Sequence, residues 1–146
     1  MNILVTGGEG FIGKKLVNKL TKEGHKVTSL DLKSTADIVA DLSDENFDFN
    51  CISNIDYIFH LAAQPGGYFS LNNSYIDGKW NCLGTINVVK LAQKLKVKKL
   101  IYTSSMAIYG NQEGASENLM GRNKPTPISF YGVSKFTGEL YTKLIY

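Results

Sequence analysis

The residues with the clearest chemical potential in this 146-residue chain are Tyr131 and Lys135, together with a glycine-rich run near its front, Thr6-Gly7-Gly8-Glu9-Gly10-Phe11-Ile12-Gly13. On a helix Tyr131 and Lys135 stand one turn apart and share a face. A phenol with an ordinary pKa of about 10 is a poor base at neutral pH, but an ammonium beside it favours the phenolate and makes it a proton acceptor. The same pair could be an exposed tyrosine and lysine on a solvated helix. Ser104 and Ser105, at the end of an apolar run, could simply cap the loop that follows them.

Each glycine of the front run has a separate physical task. Gly7 permits a tight turn, Gly10 lets the backbone approach a pyrophosphate, and Gly13 lets a helix pack closely on a sheet. A helix opening at Phe11 and Ile12 would aim unpaired N–H groups and the positive end of its dipole at the phosphates. Asp31, after the second apolar run, is placed to accept hydrogen bonds from the adenosine ribose. Its charge repels a 2′-phosphate, so NAD is expected rather than NADP, with Lys33 pulling the other way. Asp41 and Leu42 could meet the adenine ring, or Asp41 could cap a short helix. A glycine turn that binds nothing is the alternative to the whole reading.

These groups must be positioned by the elements between them. Short apolar, β-branched runs at 3–6, 27–30, 38–40, 57–62 and 100–104 alternate with segments of helical period, the pattern of a parallel sheet buried on both faces. The expected fold is α/β, a Rossmann-type doubly wound parallel sheet in the order 3-2-1-4-5 that stops after about five strands, with the fifth at an edge. Ile12, Leu16, Val17 and Leu20 mark the first helix, which Gly24 stops. Ile86, Val88, Val89, Ala92 and Leu95 lie in a long helix that begins in the low 70s. Residues 110–127 read as a long polar loop, and a last helix runs over 129–146.

Composition narrows the function classes. The chain is 43% hydrophobic and 20% charged, with a net charge of +3 spread over helix lysines, so one globular domain with a solvated surface is expected and nucleic-acid binding is not. Cys51 and Cys82 lie far apart with only His25 and His60 as histidines, a pattern that suggests neither a metal site nor a disulfide. A strand pattern starts at once and no apolar run has membrane-spanning length, so the expected location is the cytoplasm, with no membrane partner.

Further motifs give the chain a family likeness. The glycine spacing is GxxGxxG. His60-Leu61-Ala62-Ala63-Gln64 looks like an HLAA motif, Asn81-Cys82-Leu83-Gly84-Thr85-Ile86-Asn87 like NVxGTxN, Tyr102 to Gly110 like the SS(A)xVYG segment, and Tyr131-Gly132-Val133-Ser134-Lys135 like YxxxK. In this order they resemble the extended short-chain dehydrogenase/reductases, specifically NAD-dependent epimerases and dehydratases of the UDP-glucose 4-epimerase kind, and the resemblance covers essentially the whole chain.

The resemblance implies that Lys135 holds the nicotinamide ribose hydroxyls, that Tyr131 removes a proton from a sugar hydroxyl, and that Ser105 hydrogen-bonds the reacting oxygen with Ser104 supporting it. It also places Leu61, Ala62, Ala63 and Asn81 beside NAD. Dehydratases of the family carry acids after the catalytic Ser/Thr, whereas Met106 and Ala107 stand here. That departure leaves 4-epimerisation of a nucleotide sugar, with reduction of a keto-sugar and a non-catalytic dinucleotide-binding module as alternatives. Family members continue past the YxxxK helix into further strands and a substrate domain, so residues 1–146 are expected to be an incomplete NAD-binding portion, inactive and poorly stable by itself. In the intact form the resemblance implies a homodimer through the long helix and the last helix.

Overall fold

The computed structural model describes residues 1–111 and 124–145. Five strands, β1 (Asn2–Thr6), β2 (Lys26–Asp31), β3 (Ile38–Val39), β4 (Tyr57–His60) and β5 (Lys99–Tyr102), form one sheet in the order β3-β2-β1-β4-β5. All four pairings are parallel. The order and class agree with the sequence reading. Thr6 pairs with both Leu30 and His60, and His60 pairs with Tyr102, so these strands end level with one another. The direction of winding reverses between β1 and β4, which opens a crevice beyond their carboxyl ends.

Alternation along β1 explains how the sheet is covered. Leu4 points to one face and joins Leu30, Ile58, Val88, Leu91 and Ala92, while Ile3 and Val5 point to the other and meet Leu20, Leu16 and Val17. Helix α1 (Phe11–Lys22) therefore covers one face and α4 (Gly84–Leu95) the other. Gly24, at φ +83°, makes the left-handed turn that ends α1. Among the described residues no helix is long and apolar enough to cross a membrane.

Several boundaries shift from the sequence reading. The fourth and fifth strands end at His60 and Tyr102 rather than at 62 and 104, because β1, their reference, stops at Thr6. Leu61 and Ala62 remain tethered by N–H bonds to the carbonyl and the hydroxyl of Thr6, at 3.1 and 3.3 Å. The helix of the low 70s is α3 (Ser74–Gly78), preceded by a separate α2 (Gly67–Asn72) and joined to α4 by a π-helical turn over Lys79–Leu83. The last helix, α5 (Phe130–Thr142), starts where expected, with the Ser129 hydroxyl accepting the Gly132 N–H at 3.0 Å. It tightens into a 3-10 turn over Lys143–Ile145. The 110–127 loop lies in large part outside the described residues, as does Tyr146.

Candidate active site

The glycine run follows β1 without a break. Gly7 adopts φ +69°, and a Cβ there would stand 2.7 Å from the Ala62 nitrogen, so only glycine allows the turn to pass β4. A Cβ on Gly13 would run into the Gly7 carbonyl, which fixes how closely α1 enters the loop. The sequence reading missed Gly8, whose Cβ would meet that of Ser29 at 2.7 Å. Helix α1 has no side-chain cap and no acid in its first turn. Its first N–H groups are thus uncapped, a fit for an anion.

From this loop a cleft of about 600 Å³ extends across the carboxyl ends of the strands, large enough for a cofactor. Gly7, Gly10, Phe11, Ile12 and Gly13 form one part of its wall, and Asp31, Asp41 and Leu42 another. Leu61, Ala62, Ala63, Ser104, Tyr131 and Lys135 complete the set brought together from the sequence. Thr103 and Trp80 also line it. Neither carries a local signal: Thr103 reaches the wall because β5 ends just before it, and Trp80 because the π-helical turn over Lys79–Leu83 carries it there.

Two expected residues stand elsewhere. Ser105 does not line the cleft; its hydroxyl accepts the Ala107 N–H at 3.2 Å and caps the 3-10 turn Met106–Tyr109, the capping role its type favours. Asn81 lies behind the wall. Its carbonyl oxygen accepts the Gln64 N–H at 2.7 Å, and its two amide N–H groups are shared among three acceptors, the Gln64 carbonyl at 3.1 Å, Asp77 at 3.0 Å and the Ser134 hydroxyl at 3.0 Å. It braces the segment after β4.

The acids of the nucleotide end are held by backbone. Asp31 accepts the N–H groups of Glu9, at 3.0 Å, and Lys33, at 3.2 Å. The Lys33 ammonium turns to the Glu9 carbonyl at 2.9 Å. Asp41 accepts both the N–H and the hydroxyl of Ser43, at 2.8 and 2.6 Å. Burial alone would push the Asp41 carboxyl up, yet these bonds and Lys79 hold it below its ordinary value.

Beneath Tyr131 and Lys135 runs a buried polar chain. The Thr6 hydroxyl donates to His60 Nδ1 at 2.7 Å. Because the Thr85 hydroxyl donates to the Asn81 carbonyl at 2.6 Å, it accepts from His60 Nε2–H, 3.0 Å away. That fixes the tautomer. Burial, helped by the charge of Lys135, lowers the His60 pKa to about 3, so the ring is neutral and structural, although its motif is a cofactor-side one.

Helix α5 is set in place by two contacts. The Ser70 hydroxyl of α2 accepts the Tyr131 N–H at 3.2 Å, and a Cβ on Gly132 would stand 2.5 Å from the Ala107 carbonyl. The glycine inside the YGVSK run is thus what lets α5 press onto the segment carrying Ser104 and Ser105. Lys135 is only 2% exposed, which overturns the solvated-helix alternative for the pair. Its ammonium lies 4.2 Å from the centre of the Tyr102 ring and has no hydrogen-bonding or ion-pair partner among the described residues. Burial lowers its pKa to about 8 against the opposing charges of Asp77 and Glu139. A cation that opens on a cleft wall with no acceptor of its own fits a ligand bearing hydroxyls. With the uncapped helix start and the glycine cradle, it makes the residues present fit a dinucleotide.

Comparison with known proteins agrees with this geometry. Residues 3–145 match the model of the NAD dependent epimerase/dehydratase family. A UDP-glucose 4-epimerase of Mycolicibacterium smegmatis is 32% identical over 99% of this chain and 51% of its own. Among solved structures, MoeE5 in complex with UDP-glucuronic acid and NAD superposes with a TM-score of 0.89 at 32% identity, covering 99% of this chain and 49% of that one. A Thermotoga maritima UDP-glucose 4-epimerase with UDP-glucose gives 0.86 at 33% identity, covering 99% and 51%. The chain spans about half the length of the curated relatives it matches.

Proposed function

The chain belongs to the NAD dependent epimerase/dehydratase family, and on that premise we propose that it is the NAD-holding half of a nucleotide-sugar 4-epimerase. The observation that carries this reading is Lys135, a residue only 2% exposed that lines the cleft with Tyr131 and whose ammonium has no hydrogen-bond acceptor among the described residues, on a cleft that begins at the uncapped glycine loop.

Bound there, NAD would supply a reversible two-electron oxidant for the sugar carbon. The loop N–H groups take the pyrophosphate, and Asp31 takes the adenosine ribose. Lys135 donates to the nicotinamide ribose hydroxyls, one helical turn from Tyr131. Tyr131 accepts the proton of the sugar hydroxyl during oxidation and returns it during reduction. Ser105 is assigned the hydrogen bond to the reacting oxygen; this requires its hydroxyl to leave the Ala107 cap, or to serve both. Met106 and Ala107, which follow it, carry no acid to expel water, so the reading excludes dehydration. The intact enzyme is read as a cytoplasmic homodimer through the exposed apolar groove lined by Tyr75, Leu83 and Phe130.

Incubating the full-length protein with NAD and each of UDP-glucose, UDP-galactose and UDP-glucuronic acid tests the activity. The expected result is the 4-epimer of at least one, with no net consumption of cofactor. Consumption of reduced cofactor by a keto-sugar without any epimer would replace the proposal by a reductase.

A further inference from the structure

We propose that Asp77 is a positioning residue for Lys135: its buried carboxylate, anchored through Asn81 behind the cleft wall, keeps the lysine charged while leaving the ammonium donors free for the ligand. The inference rests on the cleft being the dinucleotide site proposed above.

Among the described residues Asp77 is the one buried carboxylate, 1% exposed. A charge so placed is costly unless another charge or a set of donors compensates it. Its Oδ1 accepts the Asn81 amide at 3.0 Å, and the same amide reaches the Ser134 hydroxyl at 3.0 Å. Ser134 donates to the Tyr131 carbonyl at 3.0 Å. Asp77, Asn81 and Ser134 thus tie α3 to the turn of α5 that bears both Tyr131 and Lys135.

The carboxylate and the ammonium make no direct ion pair. That separation matters. A contact pair would occupy the lysine N–H groups, whereas a carboxylate set behind an amide acts on the charge and leaves the donors open. Among the described residues the groups facing Lys135 are the Tyr102 ring from β5, neutral His60 from β4, Tyr131 and Glu139 on its own helix, and Asp77 from α3. Cys82 of the π-helical turn feels Asp77 as well, its thiol pushed up by burial and then by that charge. Burial draws the lysine down to about 8, and Asp77 is foremost among the charges that oppose it. Burial likewise raises the Asp77 carboxyl, with Ser134, Lys135 and Asn81 opposing. Each group therefore sustains the charge of the other.

The test is the titration of Lys135, read in the full-length protein by the 13Cε shift of labelled lysine without cofactor, and in parallel by the pH dependence of NADH affinity. Asp77→Asn preserves size and an acceptor. It is expected to move the Lys135 midpoint down by about one pH unit and to shift the alkaline loss of NADH affinity by the same amount. Asp77→Glu is expected to restore both. An unchanged midpoint in folded Asp77→Asn overturns the proposal. Should that variant fail to fold, Lys135→Met reads the coupling from the other side: the Asp77 midpoint, followed by its 13Cγ shift, is expected to rise, and no movement overturns the proposal equally. Absence of NADH binding in the unaltered protein would count against the dinucleotide reading, while the cofactor-free titration would still decide the role of Asp77.

Discussion

The ammonium of Lys135 stands 4.2 Å from the centre of the Tyr102 ring, while the Tyr102 hydroxyl donates to the Lys135 carbonyl at 3.3 Å. One side chain thus holds both ends of the same lysine, its backbone and its charge. A desolvated cation over an aromatic face is stabilised by about 2 kcal/mol, and a single neutral hydrogen bond by about 1 kcal/mol. Tyr102→Phe is therefore expected to lower stability by roughly 1 kcal/mol. Tyr102→Leu removes the ring too and is expected to cost about 3 kcal/mol. Urea midpoints of the two variants measure the difference, and equal losses would show that the ring contributes nothing through the lysine.

Gly132 makes a sharper demand. An alanine Cβ there would stand 2.5 Å from the Ala107 carbonyl and 3.0 Å from Pro127 Cβ, so α5 must move away from the serine segment. Overpacking of this kind costs about 1–3 kcal/mol, and displacement of a reacting group by an ångström can cost on the order of a hundredfold in rate. Gly132→Ala is expected to lose turnover at least tenfold more than it loses NADH affinity. Steady-state rates beside fluorescence titration of NADH check this; proportional losses would mean that the helix does not shift against the serines.

Acid should destabilise the fold before its carboxylates titrate. His60 is neutral in the folded state, with its pKa lowered to about 3 by burial, whereas unfolded it protonates with a pKa of about 6.5. Below that value the unfolded chain binds a proton that the folded one refuses, so the stability present above about pH 6.5 falls by up to about 1.4 kcal/mol per pH unit as pH falls towards 3. Between pH 6.5 and 5 the expected loss is roughly 1.5–2 kcal/mol. Unfolding midpoints of the unaltered protein and His60→Gln across this window measure it. A variant with the same acid slope as the parent would assign the loss to other groups.

The strands, their order and the loop at Gly7 to Gly13 were legible because they rest on local patterns: β-branched runs, helical period and glycines at fixed offsets. Asp31 was legible for the same reason, since it ends a strand. What sequence could not convey is depth. The helix spacing of Tyr131 and Lys135 says that they share a face, yet nothing local says that this face is buried against Tyr102. His60 opens the run whose Leu61, Ala62 and Ala63 the resemblance sets beside NAD, but its own position at the level end of β4 points the ring inward to Thr6 and Thr85. Asn81 and Ser105 carry family motifs: the bonds by which Asn81 braces Gln64 and Ser134 are tertiary and left no local sign, whereas the Ser105 cap on Ala107 is the local alternative its position already offered. Ser70 was missed entirely, because a serine in a short helix carries no sign that it will hold the start of another.

Cofactor choice depends on Asp31, whose carboxylate already accepts two backbone N–H groups. Asp31→Ser is expected to weaken NADH binding by about tenfold or more, the value of a hydrogen bond to a charged group. It should weaken NADPH far less, since the like-charge repulsion is removed. Competitive titration of both cofactors reads the ratio; equal losses for NADH and NADPH would remove Asp31 from the adenosine ribose.

The most direct measurement is the NADH binding isotherm of the full-length protein, followed by fluorescence, for the unaltered chain, Gly13→Val and Lys135→Met. Saturable binding is expected, abolished by the valine in the loop cradle and weakened by about tenfold or more by the loss of the ammonium, with both variants folded by circular dichroism. Binding that neither substitution alters, or no binding by the unaltered protein, would contradict that expectation.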